Sequence, residues 1–232
     1  MLTKTCVLIA TYNEADNIEQ LLSRLTGFDV VVVDDGSPDG TAAICKSFEN
    51  VTVISRPGKS GIASAYIDGF RWLLERKKYD VIVQMDAGLT HNPYDIVPML
   101  ETLELNNYDL VIGSRRITKQ PLWHFRTFLS LAAVHLMRLI DINFEDVTSG
   151  FRIWRSDLLS RINWNFISAH GFGFQLQMLY SAVSLQANIA EYQIPYKLTN
   201  SSLNSRMIGE AIKIWGNLFI VTKRSESSFL TP

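Results

Sequence analysis

Several protein classes are excluded by what this sequence has little of. Only two cysteines occur in 232 residues, Cys6 and Cys45, and neither has a Cys or His at metal-ligand spacing. That excludes a multi-disulfide framework and a zinc module, and both read as reduced, buried thiols. Neither sign of charge dominates: 22 Lys and Arg against 23 Asp and Glu give a formal net charge of −1. No global field favours nucleic acid, and no nucleic-acid partner is expected. No apolar run approaches the roughly 18–20 residues that span a bilayer. The chain enters its first strand close to Met1 without a charged n-region or apolar h-region, which gives a cytoplasmic expectation. G-x-G-x-x-G is missing from the first strand-to-helix turn, which argues against a dinucleotide-binding dehydrogenase.

What is present is a core. With 47% hydrophobic residues the chain buries a full interior, and its length fits one domain. Strand-like runs at Thr5–Ala10, Asp29–Val33, Val51–Ser55, Asp80–Met85 and Asp109–Gly113 alternate with helix-like runs at Asn17–Leu25, Thr41–Phe48, Gly61–Glu75 and Pro93–Leu105. This alternation means βαβ units and a mostly parallel central sheet flanked by helices, an α/β fold of Rossmann-like kind. Near-continuous apolar strands such as VVVV suit a sheet covered on both faces. After Arg116 the pattern changes to helices at Thr127–Ile140, Phe172–Leu185 and Glu210–Lys223, the last with Ile212, Trp215, Phe219 and Ile220 as apolar anchors. No repeat, low-complexity segment or flexible linker interrupts the chain.

Ligands of open α/β sheets bind beyond the carboxyl ends of the strands. Four polar clusters fall there: Thr11–Glu14, Asp34–Asp39, Asp86–His91 and Gly113–Arg116. Carboxylates in such a place accept hydrogen bonds from ribose hydroxyls and base N–H groups, or hold a hard cation on a diphosphate. Each also has a plainer reading. Asp34 and Asp35 suit turn and cap roles in DDGSPDG, and Arg126 and Arg138 suit solvated flanks of an amphipathic helix. His91 and His124 suit local hydrogen bonds.

Taken in order, ATYNEADNI, VVVDDGSPDGT, RPGKSGIASAYIDGF, VQMDAGLTHNP, VIGSRR, DVTSGFR and GFGFQLQML resemble the inverting family 2 glycosyltransferases of GT-A fold, the polyprenyl-phosphate (dolichyl-phosphate) mannose synthases above all. The resemblance covers about Val7 to Met207 and implies one GT-A domain over 1–232. Within it, 1–116 is the nucleotide-sugar half, 117–207 the acceptor half, and 208–232 a C-terminal amphipathic helix and tail. It implies that Tyr12, Glu14 and Asp35 line base and ribose, with Ala10 and Val33 as backbone or wall contacts. Asp86, Ala87 and Gly88 stand at the D-x-D motif, so that Asp86 is the metal and catalytic carboxylate for Mg²⁺ or Mn²⁺. Arg115 faces phosphates. Arg126, Ser130 and Arg206 hold the acceptor phosphate, and Gln177 occupies a catalytic-side position. The implied partners are a nucleoside diphosphate sugar (GDP-mannose by analogy), a polyprenyl phosphate met at the cytoplasmic face of a membrane, and a membrane-protein partner.

Three motifs depart from that pattern. D-x-D reads Asp86-Ala87-Gly88, F-Q-x-E reads Phe174-Gln175-Leu176-Gln177, and R-x-x-G-x-S-K reads Asn200-Ser201-Ser202-Leu203-Asn204-Ser205-Arg206. An acceptor phosphate is ionised near neutral pH, so loss of the acid at Gln177 is compatible with turnover. The departures leave open a transferase with a sugar-hydroxyl acceptor in cell-surface polysaccharide synthesis, and a non-catalytic nucleotide-sugar binder.

Overall fold

The structure, a computed structural model, describes residues 3–115, 125–169, 171, 173–195 and 205–228; side chains in the helices over 125–138 and 205–228 are described for 129–138, 209 and 212–222. The strands are β1 (Thr5–Thr11), β2 (Asp29–Asp34), β3 (Val51–Ser55), β4 (Val81–Asp86), β5 (Leu110–Ser114), β6 (Arg152–Arg155) and β7 (Ile189–Gln193). The helices are α1 (Ala15–Ser23), α2 (Thr41–Lys46), α3 (Ile62–Arg76), α4 (Ile96–Leu105), α5 (Phe125–Arg138), α6 (Ser156–Arg161), α7 (Gly173–Ser184) and α8 (Ser205–Ser228).

One seven-stranded sheet runs in the order β3-β2-β1-β4-β6-β5-β7. The period-2 alternation of strand side chains sorts the strands onto two cores. Cys6, Leu8, Val31 and Val33 face the layer of α3, α5, α6, α7 and α8. Val7, Ile9, Val30 and Val32 face α1, α2 and α4. Helix α3 lies close on the sheet because Gly69 carries no side chain; a Cβ there would run into Leu8 and stand 3.0 Å from Val33.

Among the described strands only β6 runs against its neighbours, antiparallel to both β4 and β5. Its register places Arg152 opposite Gln84 and opposite Ile112. The chain therefore enters β6 at the edge where β4 and β5 end, and residues just before Arg152 join the carboxyl-end loops. The sequence reading found neither β6 nor β7. RIWR is four residues with an arginine at each end, and β7 is half-exposed along most of its length, so neither shows the apolar run that marks the other strands.

In α8 the buried stripe is also not the expected one. Ile214 and Leu218 are buried, Trp215 and Phe219 pack partly against the core, and Ile212 and Ile220 point outward. The apolar anchors thus shift from Ile212 and Ile220 to Ile214 and Leu218. The shift follows from the seat of the helix on α7, where a Cβ on Gly173 would lie 2.8 Å from Ile214. Among the described residues no helix is long and apolar enough to cross a membrane.

Candidate active site

Thr11 ends β1 and Tyr12 and Glu14 follow it, Asp35 follows β2, and Lys59, Gly61, Ile62 and Ala65 come from the loop and first turn of α3. With Ala10 they line a cleft of about 220 Å³. Lys59 Nζ stands 3.9 Å above the Tyr12 ring, a cation–π contact that brings the RPGKSG loop over the strand end. Asp35 is 3% exposed. Its Oδ1 receives Arg56 Nη1 at 2.8 Å, and its Oδ2 receives the backbone N–H groups of Ser60 and Gly61 at 2.9 and 2.8 Å. Asp34 accepts from the Thr11 hydroxyl and from the Ser37 N–H and hydroxyl. It is the turn-former of the pair, while Asp35 stands in the cleft wall. Gly36 has φ +74°, and a Cβ there would meet Gly58 Cα at 2.8 Å. Only glycine lets the DDGSPDG turn and the RPGKSG loop touch.

Asp86 closes β4 beside this cleft, paired in register with Ala10. Its side chain is 38% exposed. The His91 Nδ1 accepts the Asp86 backbone N–H at 3.1 Å, which leaves the ring proton on Nε2, 3.6 Å from Asp86 Oδ2. Stacked on Phe151 and 3% exposed, His91 is fixed in that pose. The Tyr66 hydroxyl donates to the Met85 carbonyl at 2.9 Å and lies 3.4 Å from Asp86 Oδ1. Burial, with Asp86 beside it, pushes the Tyr66 phenol well above its ordinary value. Across from Asp86 is Gly150, where a Cβ would meet Asp86 Oδ1 at 3.0 Å and Gln175 Nε2 at 3.4 Å. Among the described residues no group of three or more His, Cys, Asp and Glu could surround a metal. One accessible carboxylate fits a cation whose remaining ligands come from phosphate oxygens and water.

Further along the edge Arg115 follows β5. Its Nε and Nη2 bond the two oxygens of Asp146 at 2.6 and 2.8 Å, and Nη2 reaches Thr148 Oγ1 at 2.6 Å. Thr148 Oγ1 in turn stands 3.4 Å from Ser130 Oγ on α5. Burial alone would raise the Asp146 pKa, but the Arg115 guanidinium and the N–H groups of Arg115 and Thr148 hold it below its ordinary value. Arg152, fully buried, donates to the carbonyls of Ser149, Gln175 and Val147. Burial, then repulsion from Arg115, lowers its pKa to about 9 against the pull of Asp146. The guanidinium of SGFR is thus the clamp that shapes the 147–150 loop.

The structure gathers Ala10, Tyr12, Glu14 and Asp35 in one cleft, and Arg115 and Ser130 on one hydrogen-bonded chain through Thr148. Val33 and Ala87 are buried in the cores on either side of the sheet. Gln177 is buried with its amide committed: Oε1 receives the N–H groups of Ser168 and Ala169, and Nε2 donates to the Phe166 carbonyl. Arg126 precedes Ser130 by one turn of α5, and Arg206 opens α8; both side chains lie outside the described residues. Sequence reasoning passed over Arg56, Tyr66, Asp146 and Thr148. Each was signalled by its place in RPGK, SAY or DVTSGFR, but its partner is distant along the chain.

A GT-A fold with a lined cleft, an accessible carboxylate and a buried arginine spread along one sheet edge is the frame of a glycosyltransferase. Residues 6–162 match the glycosyl transferase family 2 pattern, and the chain belongs to that family. It is 38% identical to an undecaprenyl-phosphate mannosyltransferase of Micrococcus luteus, over 90% of this chain and 91% of that one. To a polyprenol monophosphomannose synthase of Mycolicibacterium smegmatis it is 31% identical, over 90% and 83%. In fold it is similar to glucosyl-3-phosphoglycerate synthase from Mycobacterium tuberculosis solved with Mn²⁺, UDP-glucose and phosphoglyceric acid. There the TM-score is 0.71 and the identity 18%, covering 94% of this chain and 80% of that chain.

Proposed function

We propose that the protein transfers a hexose, mannose first, from a nucleoside diphosphate sugar to a polyprenyl phosphate with inversion. The carrying observation is the order along the sheet edge: the Tyr12–Asp35 cleft, then Asp86, then the Arg115–Thr148–Ser130 chain. That order suits base and ribose, diphosphate and acceptor phosphate in sequence. The two mannosyl-transferring relatives support the choice of sugar, with GDP-mannose as the first donor to try, and of a lipid phosphate acceptor.

In this reading an acceptor phosphate oxygen attacks the anomeric carbon as the bond to the diphosphate oxygen breaks, and the electron pair leaves with the nucleoside diphosphate. No proton need be removed from an ionised phosphate. This agrees with a site in which Asp34 is engaged by Thr11 and Ser37, Asp35 by Arg56, Asp146 by Arg115, and Glu14, on the base side of the cleft, by the Asn17 amide. The hydroxyl-acceptor alternative needs a free base there and finds less support. Asp86 would hold Mg²⁺ or Mn²⁺, which supplies charge neutralisation to the leaving diphosphate. Arg115, with Arg126 and Arg206, would face the phosphates. Gln177 serves by positioning the 166–169 loop.

A lipid acceptor has to be met at a membrane surface, here taken as the cytoplasmic face. Among the described residues, the exposed Ile212, Ile220 and Val221 of α8 and Leu139 after α5 would supply apolar contacts for it. Purified protein given GDP-mannose, Mg²⁺ or Mn²⁺ and a polyprenyl phosphate should release GDP and form a mannosylated lipid. The proposal fails if no donor in a GDP- and UDP-sugar panel yields nucleoside diphosphate in an acceptor-dependent way.

A further inference from the structure

We infer that His91 is a positioning residue of the donor site, holding the Asp86 carboxylate ready for the cation of the leaving diphosphate; this rests on the metal role given to Asp86 above. DAGLTH is a return turn. Leu89 sits in it at φ +55°, a left-handed conformation that a bulky side chain rarely adopts. The chain so bent lays the His91 ring against the strand end it has just left. There the ring is buried and stacked on Phe151, with centroids 5.0 Å apart and planes 14° apart. The Asp86 backbone N–H donates to its Nδ1 at 3.1 Å.

These contacts decide what the ring can do. With Nδ1 an acceptor, the imidazole is neutral and its proton is on Nε2. Both nitrogen lone pairs are then committed, so His91 is not itself a cation ligand. Its Nε2–H edge lies 3.6 Å from Asp86 Oδ2, and the Tyr66 hydroxyl lies 3.4 Å from Oδ1. Phe151, under the His91 ring, packs in the core of α1, α2 and α4, while Tyr66 belongs to the opposite one. The carboxylate is thus flanked from both faces of the sheet. Both separations are longer than an ordinary hydrogen bond, so they orient the group and leave its oxygens free to bind. Gly88 offers no second carboxylate, and the cation depends on the aim of this one.

His91→Asn tests this, because an asparagine Oδ1 takes the place of Nδ1 for the Asp86 N–H and nothing replaces the Nε2 edge. Wild type, His91→Asn, Asp86→Asn and the double variant are compared. Electron paramagnetic resonance gives the Mn²⁺ Kd with GDP, or UDP if that binds tighter, at saturation; calorimetry gives the nucleotide Kd in EDTA. The Mn²⁺ Kd should rise about tenfold in His91→Asn, the low end for residues that support a metal ligand, with the nucleotide Kd within about twofold of wild type. The double variant should bind Mn²⁺ no worse than Asp86→Asn alone, since His91 acts through that carboxylate. His91→Phe keeps the stack on Phe151 and drops both nitrogens; it should lose at least as much, and is read instead if His91→Asn is unfolded at the measuring temperature. An unchanged Mn²⁺ Kd, an equal weakening of the nucleotide in EDTA, or losses that multiply in the double variant would overturn the inference. Failure of the donor reading shows separately, as a wild type that binds neither nucleotide or an Asp86→Asn that binds Mn²⁺ as wild type does, and the inference falls with it.

Discussion

Arg56 and Asp35 form a buried ion pair at 2.8 Å that ties the RPGKSG loop to the end of β2. The guanidinium is 13% exposed and the carboxylate 4%. Arg56 also reaches Ser64 Oγ and Asp68, so one side chain links strand end, loop and α3. The cleft wall is therefore held by a residue whose own side chain does not line it.

Arg56→Met should leave Asp35 buried with its backbone donors alone, at a cost of about 2 kcal/mol, toward the low end because the pair is not fully dry. Nucleotide affinity should fall with it. Urea denaturation and GDP or UDP titration check both, and unchanged affinity would mean that the loop is held by other contacts.

Gly88 has nothing within 4 Å of a built Cβ, so Gly88→Asp should fold normally. It should tighten the apparent Mn²⁺ requirement about tenfold by adding a second carboxylate. Asp86→Asn should lower kcat by about 10² to 10³. Metal titration of turnover reads both, and an Asp86→Asn enzyme with wild-type kcat would remove the metal role given to Asp86.

Gln177→Glu replaces an amide donor with an acceptor facing the Phe166 carbonyl. In the buried position this should cost about 1–3 kcal/mol and leave turnover no higher. A gain in kcat without loss of stability would show that Gln177 belongs to the chemistry after all.

The acid response follows from Asp146, whose carboxyl is held below its ordinary value in the fold. Such a group adds stability above its unfolded pKa, about 4, and that stability is lost as pH falls through the lower folded value. Asp146→Asn should therefore be less stable at pH 7 and show a shallower decline below pH 4. Urea midpoints from pH 7 to pH 2.5 give the comparison; parallel curves would count against it.

Cys6 and Cys45 are buried, and burial is the main cause that pushes each thiol up to about 12. Neither should react with a thiol-specific disulfide reagent at pH 8 in the folded protein, while both should react in denaturant. A fast-reacting native thiol would contradict the burial.

The part of the chain up to β5 was legible because its information is local. VVVV stops at a cluster of turn formers, and periodic apolar spacing marks α1 and α3, so the βαβ units and the polar strand ends follow from the chain itself. The part after β5 depends on distant pairing. RIWR becomes a strand only between β4 and β5, and Gln177 turns out to be a loop clamp because Phe166, Ser168 and Ala169 fold back on it. Ile212 gave way to Ile214 because a helical stripe is fixed by what it packs on. Nothing in Asp146 or Thr148 alone announces Arg115.

The reversed direction of β6 has a consequence for how the chain is made. Until residues 152–155 emerge, β4 and β5 have no strand between them, and their facing backbone groups stand unsatisfied. An N-terminal piece ending after β5 would expose two apolar edges and be prone to stick to copies of itself. The same late insertion brings Gly150 up to Asp86. Site completion is thereby tied to closure of the sheet, and a truncated or half-synthesised chain lacks the wall that Gly150 forms beside Asp86.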